Sequence, residues 1–170
     1  MVTTLRGVAF AQAADRRRAL AIAAPVFVGD LVGTAVQSAL GLRLGAATQV
    51  HIGPETRLRI DRFLVDAGGV LELAHGAMVL DHDPAAGRDA TTVRSPFGLI
   101  AVRGTSFFAG PSNGVFGVFA IRGTVTVVGD HTAIEVTAGL GTDVAHPGGE
   151  PTAPHPWTRA RIEQALASVR

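Results

Sequence analysis

The chain has 170 residues, of which 47% are hydrophobic, and it carries a formal net charge of +1 and no cysteine. This length suits one domain that buries roughly 70% of its unfolded surface, and the near balance of charge removes the basic field that nucleic-acid binding needs. The missing cysteine excludes disulfide frameworks, thiol catalysis and Cys-ligated zinc, and no apolar run reaches the roughly 20 residues of a membrane-spanning helix.

The first thirty residues contain a possible export signal. The arginines at 16–18 precede the apolar stretch 19–28, which is the order of a secretory signal peptide. The basic run starts late, however, and Pro25 interrupts the apolar stretch. We therefore expect this region to belong to the folded domain, with no evident signal peptide, and whether Met1 is the native start stays open.

Short apolar or alternating segments recur every 8 to 12 residues or so, with Gly, Pro or Asp between them, and this spacing is typical of an all-β sandwich, barrel or β-helical domain. The pattern predicts strands near 7–12, 18–22, 25–28, 38–44, 48–52, 56–62, 69–74, 76–81, 91–95, 98–103, 105–109, 115–121, 124–128, 132–137 and 140–145.

Two strand segments make specific predictions about burial. Alternation over residues 56–61 directs Leu58 and Ile60 to the core, whereas its charged residues point outward. Residues 115–121 are apolar on both faces, which indicates either burial on both sides, the interpretation we favour, or one face that meets a partner.

A five-residue pattern occurs twice. Ala101-Val102-Arg103-Gly104-Thr105 returns as Ala120-Ile121-Arg122-Gly123-Thr124. Two copies do not define a solenoid, and each Arg-Gly-Thr predicts a strand end at which glycine allows a tight turn or bulge and threonine opens the next strand.

The composition changes near the C-terminus. Residues 146–156 are rich in proline and glycine and predict an extended linker, which ends an all-β domain over residues 1–145. Residues 157–170 predict an amphipathic helix with Thr158 as N-cap. We expect this helix to pack on the domain rather than to bind a partner, through Trp157 and a stripe of Ile162, Ala165, Leu166 and Val169.

Three blocks of sequence carry a family pattern. They are Val28-Gly29-Asp30-Leu31-Val32-Gly33-Thr34, then Leu42–Gly45 with Val50–Ile60, which contains Gly53-Pro54-Glu55-Thr56, and finally Val93–Phe107, which contains Arg103-Gly104-Thr105. Together they resemble the FecR-like domain of periplasmic and cell-surface regulatory proteins of Gram-negative bacteria. The third block is the most specific, although Ser95 replaces the commoner threonine, and the resemblance covers about residues 7–145.

The resemblance implies an all-β, elongated antiparallel sandwich-like or β-helical fold and a periplasmic protein with a binding or signalling role and no catalysis. Regulators of this family that respond to ferric siderophores also carry a cytoplasmic segment that contacts a sigma factor, a transmembrane helix and a C-terminal domain. None of these fits in the chain, so we expect a stand-alone FecR-like module, and the resemblance does not transfer a sigma-factor function.

Enzymatic chemistry finds little support in the residues. No Gly-x-Ser-x-Gly nucleophile elbow occurs, and aromatic platforms for sugars are scarce. A metal site would need converging ligands, and the candidates are His51, His75 and Asp81. Strand alternation would point Asp81 and Asp83 away from His82, and we favour a surface loop at residues 83–87. We predict no catalytic residue, no metal and no cofactor.

Several arginines are candidates for binding an anion or a partner. Arg43, Arg57 and Arg59 would share an exposed face if their strands pair, although a solvated face is the interpretation we favour. For Arg94 and Arg103 we favour pairing within the fold, with Asp61 or Asp66, over a ligand contact.

Five residues form the predicted partner-binding set: Arg94, Arg103, Phe116, Phe119 and Trp157. They place recognition at main-chain edges or at the apolar strand 115–121. We expect a non-enzymatic module with a protein partner in the cell envelope and an unknown oligomeric state. The alternatives are a small metal-dependent β-fold enzyme and a self-associating structural domain of the envelope.

Overall fold

Seventeen strands and one helix make up the computed structural model, which describes residues 1–64, 68–83, 85 and 90–170. The first nine strands are β1 (Val2–Arg6), β2 (Ala9–Ala13), β3 (Arg16–Ala19), β4 (Leu31–Thr34), β5 (Ala39–Leu44), β6 (Thr48–Ile52), β7 (Arg57–Leu64), β8 (Gly68–His75) and β9 (Met78–His82). The remaining elements are β10 (Ala90–Ser95), β11 (Gly98–Arg103), β12 (Ser106–Ser112), β13 (Val115–Arg122), β14 (Thr124–Val128), β15 (Ala133–Thr137), β16 (Leu140–Val144), β17 (His155–Pro156) and α1 (Arg159–Ala167).

The strands form two sheets. Sheet I has eight strands in the order β1-β5-β6-β9-β12-β13-β16-β17, and sheet II has nine in the order β15-β14-β11-β10-β8-β7-β4-β2-β3. Strand numbers rise almost steadily across each sheet, because the chain places one to three consecutive strands in one sheet and then crosses to the other. The result is an all-β sandwich, as predicted. All described pairs are antiparallel except β8 with β10, which are parallel because β9 lies between them in sequence and in sheet I.

The main core lies between the sheets. Leu58 and Ile60 are almost fully buried there, whereas Arg59 and Asp61 on the same strand are exposed, which confirms the alternation predicted for residues 56–61. Their burial gives this strand its register, because a shift by one residue would expose both aliphatic side chains.

Both copies of the repeated pattern end a strand. Gly104 and Gly123 adopt φ angles of 63° and 78°, a left-handed conformation that glycine enters without steric cost. Residue Thr124 opens β14 as predicted, whereas β12 begins at Ser106, one residue after Thr105.

The strand prediction was wrong for residues 25–28, which form a loop. The carboxylate of Asp30 accepts a hydrogen bond from the Phe27 amide, which occupies a group that a strand would need for a ladder. Strands β1, β4 and β17 were not predicted, since each contains few alternating apolar residues.

The outer face of sheet I carries the helix. Helix α1 begins after Thr158, whose hydroxyl accepts a hydrogen bond from the Arg161 amide and so acts as the predicted N-cap. A second apolar cluster joins Trp157, Ala165 and Val169 to sheet I, with Ile162 and Leu166 partly buried beside it. The expected packing of the helix on the β-domain is therefore confirmed. Across the described residues no helix has the length and hydrophobicity needed to cross a bilayer.

The Pro- and Gly-rich segment before the helix follows the surface of the sandwich. The Glu150 carboxylate accepts hydrogen bonds from the amides of His131 and Thr132 in the turn between β14 and β15. The hydrogen bond from the Thr132 hydroxyl is the largest cause that lowers the pKa of Glu150; burial raises this pKa, and the two amides and the charge of His131 lower it further. The Thr142 hydroxyl also donates to the Thr152 carbonyl, so the segment is tied to β16 as well as to this turn.

Candidate protein-interaction site

Three members of the predicted partner-binding set are buried within the chain. The Phe116 ring stacks on Phe97 with the ring centroids 4.5 Å apart, and Phe119 lies with its centroid 5.2 Å from that of Trp157. Each of the three is only about 6% exposed. Residues 116–120 are buried on both faces of β13, which confirms the interpretation we favoured for this strand.

Two glycines provide the space for the Trp157 indole. A Cβ atom at Gly117 or Gly141 would overlap the indole ring, so only glycine lets the ring lie directly on the backbone of β13 and β16. Phe108 contacts the indole edge-on, at a centroid distance of 6.3 Å. Trp157 therefore joins the C-terminal segment to sheet I.

A buried arginine closes the other side of the indole. The Arg161 guanidinium lies 3.6 Å from the Trp157 ring centroid and donates to both carboxylate oxygens of Asp143, at 2.6 and 3.2 Å. It also donates to the Ser112 hydroxyl at 2.9 Å, and His155 Nε2 lies 3.3 Å from Asp143. This cluster was not predicted from the sequence, because nothing in the spacing of these residues indicates that they meet.

The two arginines of the predicted set lie on the outer face of sheet II. Val93 and Val102 point into the core, so the alternating positions Arg94 and Arg103 point outward, and both are exposed. Arg94 lies 3.9 Å from Asp61, as the predicted internal pairing requires, but both side chains are more than half exposed and the pair contributes little stability. The other candidate partner, Asp66, lies outside the described residues.

The same face carries further charge. Arg59 pairs in register with Glu72, and Glu72 with Arg94, so the three side chains form one row. Arg57 lies on the same face, where it donates to the carbonyls of Thr34 and Thr56. The predicted sharing of a face therefore holds for Arg57 and Arg59 only. Arg43 lies on β5 in sheet I, because residues 39–44 pair with β1 and β6.

An open cleft of about 350 Å³ adjoins Arg94. It is lined by the β10–β11 turn, by residues 128–130 and by Gly148 and Gly149. The Gly148 amide donates to the Pro96 carbonyl, so the segment that precedes the helix forms one wall of the cleft.

The candidate metal ligands do not meet. His51 lies on β6 in sheet I, where it pairs with Val79 rather than with Asp81, whereas His75 ends β8 in sheet II. The pKa of His51 is lowered, mainly by burial and also by the charge of Arg170, whereas the charge of Asp81 acts in the opposite direction. Within residues 1–64, 68–83, 85 and 90–170, no three His, Asp or Glu side chains cluster as metal ligands would. Most of the predicted surface loop at 83–87 lies outside the described residues.

The polar residues of the family-like blocks have structural roles. The buried Thr34 hydroxyl donates to the Gly53 carbonyl at 2.6 Å and accepts from the Thr56 amide at 3.0 Å. The Thr56 hydroxyl in turn accepts from the Ala77 amide at 3.1 Å. The two threonines thus join neighbouring segments in which the chain crosses from one sheet to the other, and they satisfy backbone groups at the strand ends.

We predict that Thr34→Val lowers the free energy of unfolding by about 1–3 kcal/mol, because the isosteric valine leaves the Gly53 carbonyl and the Thr56 amide buried without a partner. Urea unfolding followed by circular dichroism measures the change. Thr124→Val, at an exposed position, is the matched control. Equal midpoints for the two variants would contradict the structural role.

Comparison with known proteins agrees with this architecture. The family model described as FecR protein matches residues 30–140. The chain therefore belongs to the FecR family. No curated protein matches the chain in sequence.

Two crystal structures of a protein from Parabacteroides distasonis ATCC 8503, entitled "putative anti-sigma factor", are similar in fold. Each has a TM-score of 0.65 and 16% sequence identity over 80% of this chain. The chain spans 64% and 63% of their lengths, slightly less than two thirds. At this identity the likeness concerns the fold alone.

Proposed function

We propose that this chain is a non-enzymatic regulatory module of the periplasm that acts through protein–protein contacts in envelope signalling. The observation that carries the proposal is membership of the FecR family over residues 30–140. The similarity in fold to a protein entitled "putative anti-sigma factor" supports a regulatory role. A specific sigma factor is not part of the proposal.

The outer face of sheet II is the surface proposed for the partner, with Arg94 and Arg103 as contact residues. Both guanidinium groups are exposed, and arginine forms paired hydrogen bonds with carboxylates across interfaces. The three buried aromatic residues of the predicted set support the same surface indirectly. Phe116 stacks on Phe97, which lies in the β10–β11 turn. Phe119 and Trp157 contact each other and hold the C-terminal segment in place.

The test uses the purified full chain to capture proteins from an envelope fraction of the native host. We expect one specific protein partner, with capture reduced roughly tenfold when Arg94→Glu and Arg103→Glu are combined, since tenfold corresponds to loss of about 1.4 kcal/mol of binding. The control combines Arg6→Glu with Arg159→Glu, which changes the charge equally at exposed sites elsewhere.

Two further measurements decide between the functions. In cell fractionation we expect the native protein in the periplasmic fraction, and a cytoplasmic location would contradict the proposal. A metal assay of the purified sample is expected to find none in stoichiometric amount. One bound transition metal per chain without any captured protein would instead favour a metal-dependent enzyme.

A further inference from the structure

The loop between β3 and β4 exposes apolar side chains. Ile22, Phe27 and Val28 are 66%, 58% and 57% exposed, and they make up three of the seven large hydrophobic residues that are exposed in the described part of the chain. Single exposed hydrophobic residues need no explanation, but several on one loop indicate an interaction site.

The backbone of this loop is held in place. Leu20 is buried, and Ala24 and Val26 pack against the main core. Ala23 and Ala24 also form hydrogen bonds with Val2, so the loop covers the free edge of β1. The exposed side chains are therefore presented by an ordered backbone, which lowers the entropic cost of binding.

The adjacent strand β3 is the last strand of sheet II and pairs only with β2 among the described elements. Because the Leu20 amide donates to Ala9, the alternating residues Arg18 and Arg16 direct their backbone groups toward β2. The amides and carbonyls of Arg17 and Ala19 therefore point away from the sheet, where another strand can pair with them.

The two sides of β3 differ chemically. On the outer side, the Arg17 guanidinium lies 3.6 Å from the Phe10 ring centroid. On the inner side, Arg18 lies 5.2 Å from the centroid of Phe27 and is paired with Asp30. A strand placed beside β3 would thus meet a cation on one face and the apolar loop on the other.

The charges on β3 favour one kind of occupant. A second copy pairing through the same edge would bring arginines 16–18 against identical arginines, and like charges directly opposite each other are destabilising. Anionic membranes recruit clusters of about four to eight basic residues, whereas here Asp30 already neutralises Arg18 and Asp15 lies next to Arg16.

We propose that the edge of β3 binds an extended segment of a protein partner that adds as a tenth strand to sheet II, with acidic side chains facing Arg17 and apolar side chains facing Phe27 and Val28. Main-chain hydrogen bonds would supply affinity, and the two faces would supply selectivity. This inference rests on the proposed function and names a contact surface for the partner beyond Arg94 and Arg103.

The probe is a fluorescein-labelled peptide in which glutamate alternates with valine and phenylalanine, and binding to the full chain is measured by fluorescence anisotropy. We expect saturable binding that weakens about tenfold or more in Ala19→Pro, which removes the outward amide, and in Phe27→Ser. Ala19→Ser keeps the amide, and Val36→Ser removes an exposed apolar residue elsewhere, so both should bind like the wild type. Circular dichroism checks that every variant is folded.

Several results would overturn the inference. They are no binding of the alternating peptide, equal binding of a peptide with lysine in place of glutamate, or undiminished binding to Ala19→Pro. Binding to vesicles of anionic lipid without peptide binding would assign the loop to a membrane, and a dimer abolished by Ala19→Pro would assign it to a second copy. Capture of the envelope partner that survives Ala19→Pro but not the Arg94 and Arg103 changes would leave the proposed function intact and reject this inference alone.

Discussion

Trp157→Ala is expected to lower the free energy of unfolding by about 3–5 kcal/mol, the usual cost of removing a large buried aromatic side chain. The indole fills the space above Gly117 and Gly141, and it lies between the two phenylalanines of sheet I and Arg161. Its loss also removes the aromatic contact next to the largely buried pair of Arg161 and Asp143. Urea unfolding followed by far-ultraviolet circular dichroism measures the change.

The matched variant is Trp157→Phe. It keeps an aromatic ring over the glycines and drops the indole N–H, which has no hydrogen-bond partner among the described residues, so we expect a loss of about 1–2 kcal/mol. Hydrogen exchange of the α1 amides should rise sharply in Trp157→Ala and only slightly in Trp157→Phe. If the free energy of unfolding of Trp157→Ala lies within about 1 kcal/mol of the wild-type value, the loss is no larger than that of a surface substitution. The helix would then contribute little to stability.

Asp30→Asn is expected to cost about 2–3 kcal/mol of stability. The Asp30 side chain is fully buried, and its carboxylate accepts from the Phe27 amide at 2.8 Å and from Arg18 at 2.5 and 3.1 Å. The cost stays below the 3–5 kcal/mol or so of a fully buried pair because Arg18 is 36% exposed and can be hydrated when its partner is lost. Chemical unfolding of both proteins at neutral pH gives the difference.

The same residue makes stability depend on pH. Burial raises the pKa of Asp30, but the hydrogen bonds from Arg18 and Phe27 and the charge of Arg18 outweigh it, so the pKa in the folded state is lowered. The carboxylate therefore contributes stability above the unfolded-state pKa of about 3.9, and this contribution is lost as the pH falls through the lower folded-state pKa. We expect wild-type stability to fall below about pH 4 more steeply than that of Asp30→Asn.

The control for both measurements is Asp15→Asn, which removes the same charge from an exposed turn between β2 and β3. It should leave stability within about 0.5 kcal/mol of the wild type, as surface substitutions usually do. Identical acid unfolding of Asp30→Asn and the wild type would contradict the role given to the buried pair.

The sequence predicted parts of the candidate site and missed others for identifiable reasons. Alternation placed Arg57 and Arg59 outward correctly, because period 2 is a property of the strand itself. It could not place Arg43 in the other sheet, since pairing depends on how the chain crosses between sheets. The association of Arg161 with Asp143 and Ser112 depends on helix packing over distances of 18 and 49 residues along the chain.

Apolar composition was a poor guide to exposure at residues 25–28, and it did not identify the contacts that the buried aromatic residues make. Residues 25–28 are as apolar as a strand, but Asp30 binds the Phe27 amide and turns the segment into a loop that exposes Phe27 and Val28. Phe119 and Trp157 belong to the predicted partner-binding set, and they are buried against each other, as the favoured burial of residues 115–121 and the expected packing of the helix require. A hydrophobic residue carries the same signal whether its contact is internal or external, so only the packing distinguishes the two.

Local sequence by itself determined the all-β class, most strand positions, the glycine turns at 104 and 123 and the N-cap of the helix at Thr158, because each depends on backbone preferences or side chains within a few residues. Only the tertiary structure decided the order of strands in the two sheets, the contact of Arg161 with Asp143 and the free edge at β3 beside an apolar loop. These features depend on contacts between residues far apart in the chain, and such contacts exist only once the two sheets have packed together.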